Sequence, residues 1–212
     1  GLAEWGAVPV TPRNFYRLLE RGDPVLLFPG GIREAYHERG EEYQLFWPEE
    51  REDFVRMAAR FDATIVPFGA VGCADTAEVI LGPREILNTP FIGARARGLA
   101  EGMKEALPMF RSDDVFLSPL VRPRLPSRFY FKFGKPIPTK GIKSKDSEMV
   151  AKVYKEAKNE VENCISYLLE AREQDPYKNA QPRLLYERLM GRKAPTFPLN
   201  IVDSMQRRKS RS

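Results

Sequence analysis

The sequence predicts an α/β domain with a mainly parallel sheet flanked by helices. Two short apolar runs, at residues 25–28 and 65–68, lie beside turns that contain proline or glycine, as strands buried on both faces do. Segments with apolar residues at helical spacing alternate with these runs. A third run, at residues 129–133, alternates phenylalanine with tyrosine and lysine, which indicates a strand with one aromatic face. Alternating helices and strands are typical of one layered sheet.

The first half of the chain supplies two helices and the central strand of this sheet. Thr11 followed by Pro12 is typical of a helix start, and residues 21–23 end that helix before the strand at 25–28. A second helix is predicted over residues 49–61, because proline and two glutamates open it and apolar side chains recur on one face. We expect it to pack on the sheet.

The middle of the chain contains a second strand and a segment with two interpretations. Pro67 cannot donate a backbone hydrogen bond, so the strand at 65–68 is expected to pair poorly there. Residues 69–75 are predicted to form a loop at the strand's end, where α/β sheets place ligands. Residues 90–110 mix glycines with large apolar side chains. They indicate a helix packed on the sheet, a flexible cover over an acyl chain, or a surface that dips into lipid.

The last third of the chain is predicted to be helical. The longest helix covers residues 147–171 and is capped by Asp146 or Ser147, and a short helix at 184–190 is stopped by Gly191. Residues 206–212 are basic and without interleaved aromatic residues, which favours a solvated tail over a nucleic-acid arm. We therefore divide the chain into an α/β part at 1–172 and a helical extension with its tail at 173–212.

Composition narrows the classes of function. The net charge of +5 is compatible with coenzyme A, anionic lipid headgroups or nucleic acid, and selects none of them. No apolar run approaches the roughly 20 residues that span a bilayer, so membrane association is expected to be peripheral. Cys73 and Cys164 have neither metal-ligand spacing nor the density of a disulfide framework. The chain begins with Gly1 and has no targeting composition, so we expect a longer protein, incomplete here at its N-terminus.

The candidate site is the turn at residues 28–35. Gly30 and Gly31 can expose main-chain N–H groups to a ligand, Arg33 adds a planar five-donor cation, and Glu34 stands beside it. Such donors suit a carbonyl or phosphate oxygen. We predict Gly30, Gly31, Arg33 and Glu34 as substrate-binding residues, the alternative being a tight turn with a surface ion pair.

This turn resembles a conserved block of the glycerolipid acyltransferase superfamily, in the Pro-Gly-Gly form of its type-2 diacylglycerol acyltransferase branch. Gly30 stands where glycerol-phosphate acyltransferases have glutamate, which points toward a neutral acceptor alcohol. The chain also resembles the phytyl ester synthase and diacylglycerol acyltransferase-like proteins of plant plastids. This resemblance runs in order from about residue 6 to residue 197. It rests further on residues 45–48, 52–58, 65–69 and 133–137.

The resemblance implies a glycerolipid acyltransferase-like fold and O-acyl transfer from acyl-CoA or a similar donor to a neutral lipid alcohol such as phytol or diacylglycerol. The acyl donor is then a substrate, and no cofactor, metal or nucleic acid is implied. It also implies a peripheral place on a membrane or lipid droplet, and a plastid location in the chloroplast and its plastoglobules.

The catalytic base is not identified in this sequence. The superfamily uses a His-x4-Asp block upstream of the Pro-Gly-Gly block, and the residues before Phe28 contain no histidine. His37 stands five before Glu42 but on the wrong side of the turn, and there is no Gly-x-Ser-x-Gly elbow. We predict no catalytic residue in this chain and no turnover by it alone. The alternative is a non-catalytic lipid-binding or scaffolding domain of the same fold.

Overall fold

The computed structural model describes residues 4, 6, 8, 11–48, 52–90, 92–98, 117–125 and 127–197. Helices and short strands are mixed along the chain, which confirms the α/β class. The helices are α1 (Pro12–Glu20), α2 (Gly31–Ala35), α3 (Asp53–Arg60), α4 (Pro83–Asn88), α5 (residues 92–98), α6 (Ser147–Glu173) and α7 (Ala180–Met190). The strands are β1 (Thr64–Ile65), β2 (Phe68–Val71), β3 (Ala77–Leu81), β4 (Leu120–Pro123), β5 (Tyr130–Phe133) and β6 (Ile137–Pro138). Among the described residues, none of the helices combines the length and apolar character that crossing a bilayer requires.

The described strands form three two-stranded sheets, and each pair is antiparallel: β1 with β6, β2 with β5, and β3 with β4. The predicted mainly parallel sheet is therefore not confirmed, and the glycerolipid acyltransferase-like fold stays a prediction. Parallel sheets require cover on both faces. In the β2–β5 pair one face is buried, whereas Phe131 and Phe133 on the other face are exposed, an arrangement that antiparallel sheets tolerate.

The predicted central strand at residues 25–28 is wrong. This segment has no regular secondary structure, and Leu26 and Phe28 are 67% and 62% exposed. A β-strand forms only where a neighbouring strand accepts and donates its backbone hydrogen bonds. None of the described strands pairs with these residues. In the described part of the chain, the apolar run therefore has no strand to pair with.

Pro67 interrupts the second predicted strand, as expected. β1 ends at Ile65, β2 begins at Phe68, and the two pair with different strands. The Pro67 carbonyl accepts a hydrogen bond from the N–H of Gly134 at 2.8 Å, while proline itself has none to donate. The predicted loop at 69–75 is correspondingly shorter, because β2 continues to Val71.

The chain forms two compact units, each with its own core. The first unit comprises Gly1–Pro29, Trp47–Pro67 and Gly134–Glu160. Its core contains Val55 and the β6 residue Ile137, packed with the first half of α6. The rings of Trp47, Phe54 and Tyr154 meet at centroid distances of 5.6–5.8 Å beside that core.

The second unit comprises Gly30–Phe46, Phe68–Phe133 and Val161–Ser212. The second half of α6 covers one face of the β2–β5 pair, and the core between them includes Val71, Tyr130 and Leu168. Gly69 lies directly against the helix, where an added Cβ would be 2.8 Å from the Cβ of Cys164. The predicted division into residues 1–172 and 173–212 stays a prediction.

The predicted starts of α1 and α6 and the predicted end of α7 agree with the structure, whereas α3 begins at Asp53 instead of residue 49 and α7 begins at Ala180 instead of residue 184. The Thr11 hydroxyl caps α1 by accepting from the N–H of Asn14 at 3.1 Å, and Asp146 caps α6 through the N–H of Met149. Gly191 ends α7 with a φ of +62°. Of the segment at 90–110, residues 92–98 are helical, and most of the remainder lies outside the described residues, as does the tail at 206–212.

Candidate functional site

The first two residues of the predicted site are both glycine, for different physical reasons. Gly31, the first residue of α2, has a φ of +55°, and an added Cβ would meet no atom within 4 Å. Glycine is therefore required there by the left-handed backbone and not by lack of space. Gly30 has an ordinary φ of −73°, but an added Cβ would lie 1.9 Å from Cδ of Glu34, so that side chain would have to move aside.

Glu34 occupies the space above Gly30 and joins the turn to the segment that follows it. Its Oε1 accepts a hydrogen bond from the N–H of Phe46 at 2.9 Å. The Glu34 side chain therefore folds back over Gly30, which lies four residues before it in the sequence. Glu34, one of the predicted substrate-binding residues, thus holds Phe46 close to the start of α2.

Arg33 is fixed in orientation by a carboxylate and an aromatic ring. Its Nη2 donates to Oε1 of Glu41 at 2.6 Å, and its Cζ lies 3.8 Å from the ring centroid of Phe46. The other oxygen of Glu41 accepts from the N–H of Glu38 at 2.7 Å. Ring stacking and a carboxylate on one guanidinium hold its planar fork of donors in a single plane.

The structure thus brings the predicted site residues together and adds two that the sequence analysis missed. Glu41 lies in the strongly charged stretch at residues 35–43, and Phe46 lies in the apolar run at 45–48 that follows it. The available signal was the arginine itself, since a buried guanidinium requires an acidic partner nearby. We call the set Gly30, Arg33, Glu34, Glu41 and Phe46 the arginine clasp.

The arginine clasp has a pH dependence with a definite sign. The hydrogen bond from Arg33 lowers the pKa of Glu41 below its ordinary value of 4.5. A carboxylate with a lowered pKa in the folded state stabilises the protein at higher pH, and loses that contribution as pH falls through its folded-state pKa. We expect the thermal midpoint of the native chain to fall more steeply below about pH 4.5 than that of Glu41→Gln.

Midpoints measured by circular dichroism between pH 3 and 7 check this expectation. Glu20→Gln, which changes an exposed carboxylate at the end of α1, is the matched control and should leave the acid limb unchanged. If the thermal midpoints of the native chain and of Glu41→Gln fell equally at acid pH, the ion pair between Arg33 and Glu41 would not contribute to the acid sensitivity.

His37 is not placed as a catalytic base. Its Nε2 atom is buried and has no hydrogen-bond partner among the described residues, so it makes no bond to Glu42 through that nitrogen. No group of three or more histidine, cysteine or acidic side chains that could hold a metal ion occurs within the described ranges. Neither Cys73 nor Cys164 is in a disulfide.

A second polar cluster lies in the same compact unit. The hydroxyl of Tyr43 donates to Asp75 at 2.7 Å and accepts from the N–H of Gly72 at 3.0 Å, and Arg172 forms an ion pair with Asp75. Burial, followed by the hydrogen bond to Asp75, raises the pKa of Tyr43 to about 12. The cluster fixes the turn after β2, and its members were not identified from sequence because 29 to 97 residues separate the partners.

An open groove of about 520 Å³ lies beside this cluster along β3. Its charged lining consists of three arginines and three acidic residues: Arg39, Arg122, Arg124, Glu42, Asp75 and Glu78. Arg122 and Arg124 both bond Glu78, which lowers the pKa of that carboxyl. Because the charges balance, the groove has no marked preference for an anion.

Comparison with known proteins gives two close relatives. The chain is 47% identical over 190 residues to phytyl ester synthase 1 of Arabidopsis thaliana, and 44% identical over 201 residues to phytyl ester synthase 2 of the same plant. The chain is a homologue of the phytyl ester synthases. The matches cover 86% and 92% of this chain, which confirms the predicted resemblance over most of its length. Both relatives are named chloroplastic.

The phytyl ester synthases are much longer than this chain. It spans only 27% and 28% of their lengths, a little over a quarter. No protein-family model matches the chain, and no solved structure matches it either.

Proposed function

We propose that this chain is part of a plastid acyltransferase that transfers an acyl group from acyl-CoA or a similar donor to a neutral lipid alcohol, such as phytol or diacylglycerol. The observation that carries the proposal is the 44–47% identity to two phytyl ester synthases over most of the chain. The plastid location follows from the names of the same relatives. The acyl donor is a substrate, and the lipid acceptor reaches the enzyme from a membrane or lipid-droplet surface.

In this proposal the arginine clasp binds the acceptor or the developing oxyanion. Gly31 turns the backbone at the start of α2, and Arg33 presents its fork in an orientation fixed by Glu41 and Phe46. Oriented donors stabilise developing negative charge because they need no reorganisation during the reaction. In this proposal the general base that removes the acceptor's proton lies outside this chain, because the residues before Phe28 contain no histidine.

A lipid-binding or scaffolding domain without catalysis is the second candidate. The absence of any histidine besides His37 in the sequence is the observation that favours it. The two candidates differ in one measurement. An enzyme region supports ester formation when it is part of a full-length protein, whereas a scaffold does not.

The test uses a full-length phytyl ester synthase that carries this sequence in its matching region. Labelled acyl-CoA and phytol are supplied in detergent, and phytyl ester is quantified. We expect turnover from the long protein and none from the 212-residue chain. Absence of turnover from an intact, folded long protein with either phytol or diacylglycerol would support the scaffold.

Arg33→Lys in the same long protein should reduce turnover by about 10- to 100-fold without lowering the thermal midpoint, because an ammonium does not reproduce the planar fork. Arg21→Lys is the matched control, since Arg21 forms an exposed ion pair with Asp23. It should have no effect on turnover. A fully active Arg33→Lys enzyme would remove Arg33 from the proposed site.

A further inference from the structure

The β2–β5 sheet has one buried face and one face of exposed phenylalanine rings. Side chains of Val71 and Tyr130 point into the core, whereas Phe131 and Phe133 are 65% and 71% exposed. Phe129 lies one residue before β5 with the same alternation and is 47% exposed. Phe68 lies opposite Phe133 in the register, and their ring centroids are 6.1 Å apart. We call Phe129, Phe131 and Phe133 the phenylalanine face.

In this strand pair the charged side chain faces the helix and the phenylalanine rings face outward. A sheet with one face in water usually has the opposite arrangement. The cation of the pair, Lys132, lies on the α6 side, with its Nζ 4.9 Å from the ring centroid of Tyr167. The rings lie on the other side. A contiguous exposed aromatic patch of this kind marks an interaction surface, since aromatic side chains contribute most to the stability of interfaces.

The open edges of the sheet identify the kind of partner. Within the described ranges β2 and β5 pair only with each other, so no described strand lies beside their outer backbone groups. Immersion in hydrocarbon would leave those groups without hydrogen bonds at a cost of several kcal/mol each. A polypeptide supplies apolar side chains for the rings and backbone groups for the edges.

The comparisons supply a polypeptide of sufficient length. Nearly three quarters of each phytyl ester synthase lies outside the region that this chain matches. Helix α6 covers one face of this two-stranded sheet, and a further layer on the other face would add to its stability. We propose that, in a full-length protein of this family, polypeptide from outside the matched region packs on the phenylalanine face. The proposal is independent of the reaction proposed above.

The test measures the solvent access of the rings directly. The remainder of phytyl ester synthase 1 is joined to this chain at the ends of the matched region, and this long protein is compared with the 212-residue chain by hydroxyl-radical labelling and mass spectrometry. We expect oxidation of Phe131 and Phe133 to be several-fold lower in the long protein. Equal oxidation in the two proteins would overturn the proposal.

Variants separate an interface from a folding defect. Phe131→Asp combined with Phe133→Asp should lower the thermal midpoint of the long protein and leave that of the 212-residue chain unchanged, because the rings face solvent in the latter. Phe131→Leu combined with Phe133→Leu, the matched control, should preserve most of the long protein's stability. An equal loss in both proteins would show a role within this chain and contradict the proposal.

Two other partners are distinguished by the same labelling. Protection of the isolated chain that rises with its own concentration would show a second copy on the face. Protection that requires vesicles of phosphatidylglycerol and galactolipid would show a lipid partner. Either result, without protection in the long protein, overturns the proposal. Should the joined protein not fold, full-length phytyl ester synthase 1 and its matching piece provide the same comparison.

Discussion

Replacing Asp175 with alanine should lower the free energy of unfolding by about 3–5 kcal/mol, because it leaves a desolvated guanidinium without its anion. The carboxylate is completely buried. One oxygen accepts from Nη1 of Arg128 at 2.8 Å and from the hydroxyl of Tyr130 at 2.7 Å, and the other accepts from the N–H of Tyr177 at 2.7 Å. All three donors lose their acceptor together.

Chemical denaturation of the 212-residue chain measures this loss. Asp175→Asn keeps the volume and one acceptor oxygen, and should be destabilised less than Asp175→Ala. Asp23→Ala is the control for an ion pair at the surface, because Asp23 and its partner Arg21 are exposed, and it should change stability by less than about 1 kcal/mol. If Asp175→Ala unfolded at the same denaturant concentration as Asp23→Ala, the buried network would have no net stabilising effect.

Gly69→Ala should destabilise the chain by about 1–3 kcal/mol, since it places a methyl group where helix α6 already lies. The new Cβ would be 2.8 Å from the Cβ of Cys164 and 2.9 Å from the backbone nitrogen of Ile165. A helix backbone cannot move aside as the end of a flexible side chain can. The strand and the helix must therefore separate or shift.

Gly98→Ala provides a control of opposite sign. Gly98 lies in α5, and an added Cβ there would meet nothing within 4 Å. Alanine in a helix is favoured over glycine by about 0.5–1 kcal/mol, so this variant should be neutral or slightly stabilised. Thermal unfolding of both variants by circular dichroism distinguishes steric crowding at Gly69 from a general intolerance of glycine replacement. Equal midpoints for the two would contradict close strand–helix contact.

Local signals in the sequence were sufficient for α6 and for the end of α7, whereas α4 was not predicted. The period of apolar residues located α6 to within two residues of its end at Glu173, and Gly191 marked the end of α7. These features depend on neighbours within one helical turn. Alternation at residues 129–133 likewise identified β5, whose pleat places Tyr130 inward and Phe131 outward.

Strand pairing could not be obtained in the same way. The apolar run at 25–28 has the composition of a buried strand, but composition does not state what covers it, and here Leu26 and Phe28 are exposed. The direction of strand pairing could not be predicted either. Phe68 pairs with Phe133 across 65 residues, and no local pattern reports whether such a partner runs parallel or antiparallel.

The candidate site was predicted in part. Gly30, Gly31, Arg33 and Glu34 were selected because their types suit an oxygen ligand, and the structure places them in one turn. The residues that orient them, Glu41 and Phe46, are 8 and 13 positions after Arg33. Their contacts depend on how an irregular segment folds back, which propensity and periodicity do not describe.

The two carbonyls held by Arg128 set a practical boundary for protein production. Its guanidinium bonds the carbonyl oxygens of Ala194 and Pro195 at 2.8 Å, and Phe197 stacks on Tyr130 at a centroid distance of 5.7 Å. An expression fragment that stops before Ala194 would remove two acceptors from this arginine and an aromatic ring from the core. Affinity tags and protease sites therefore belong after residue 197.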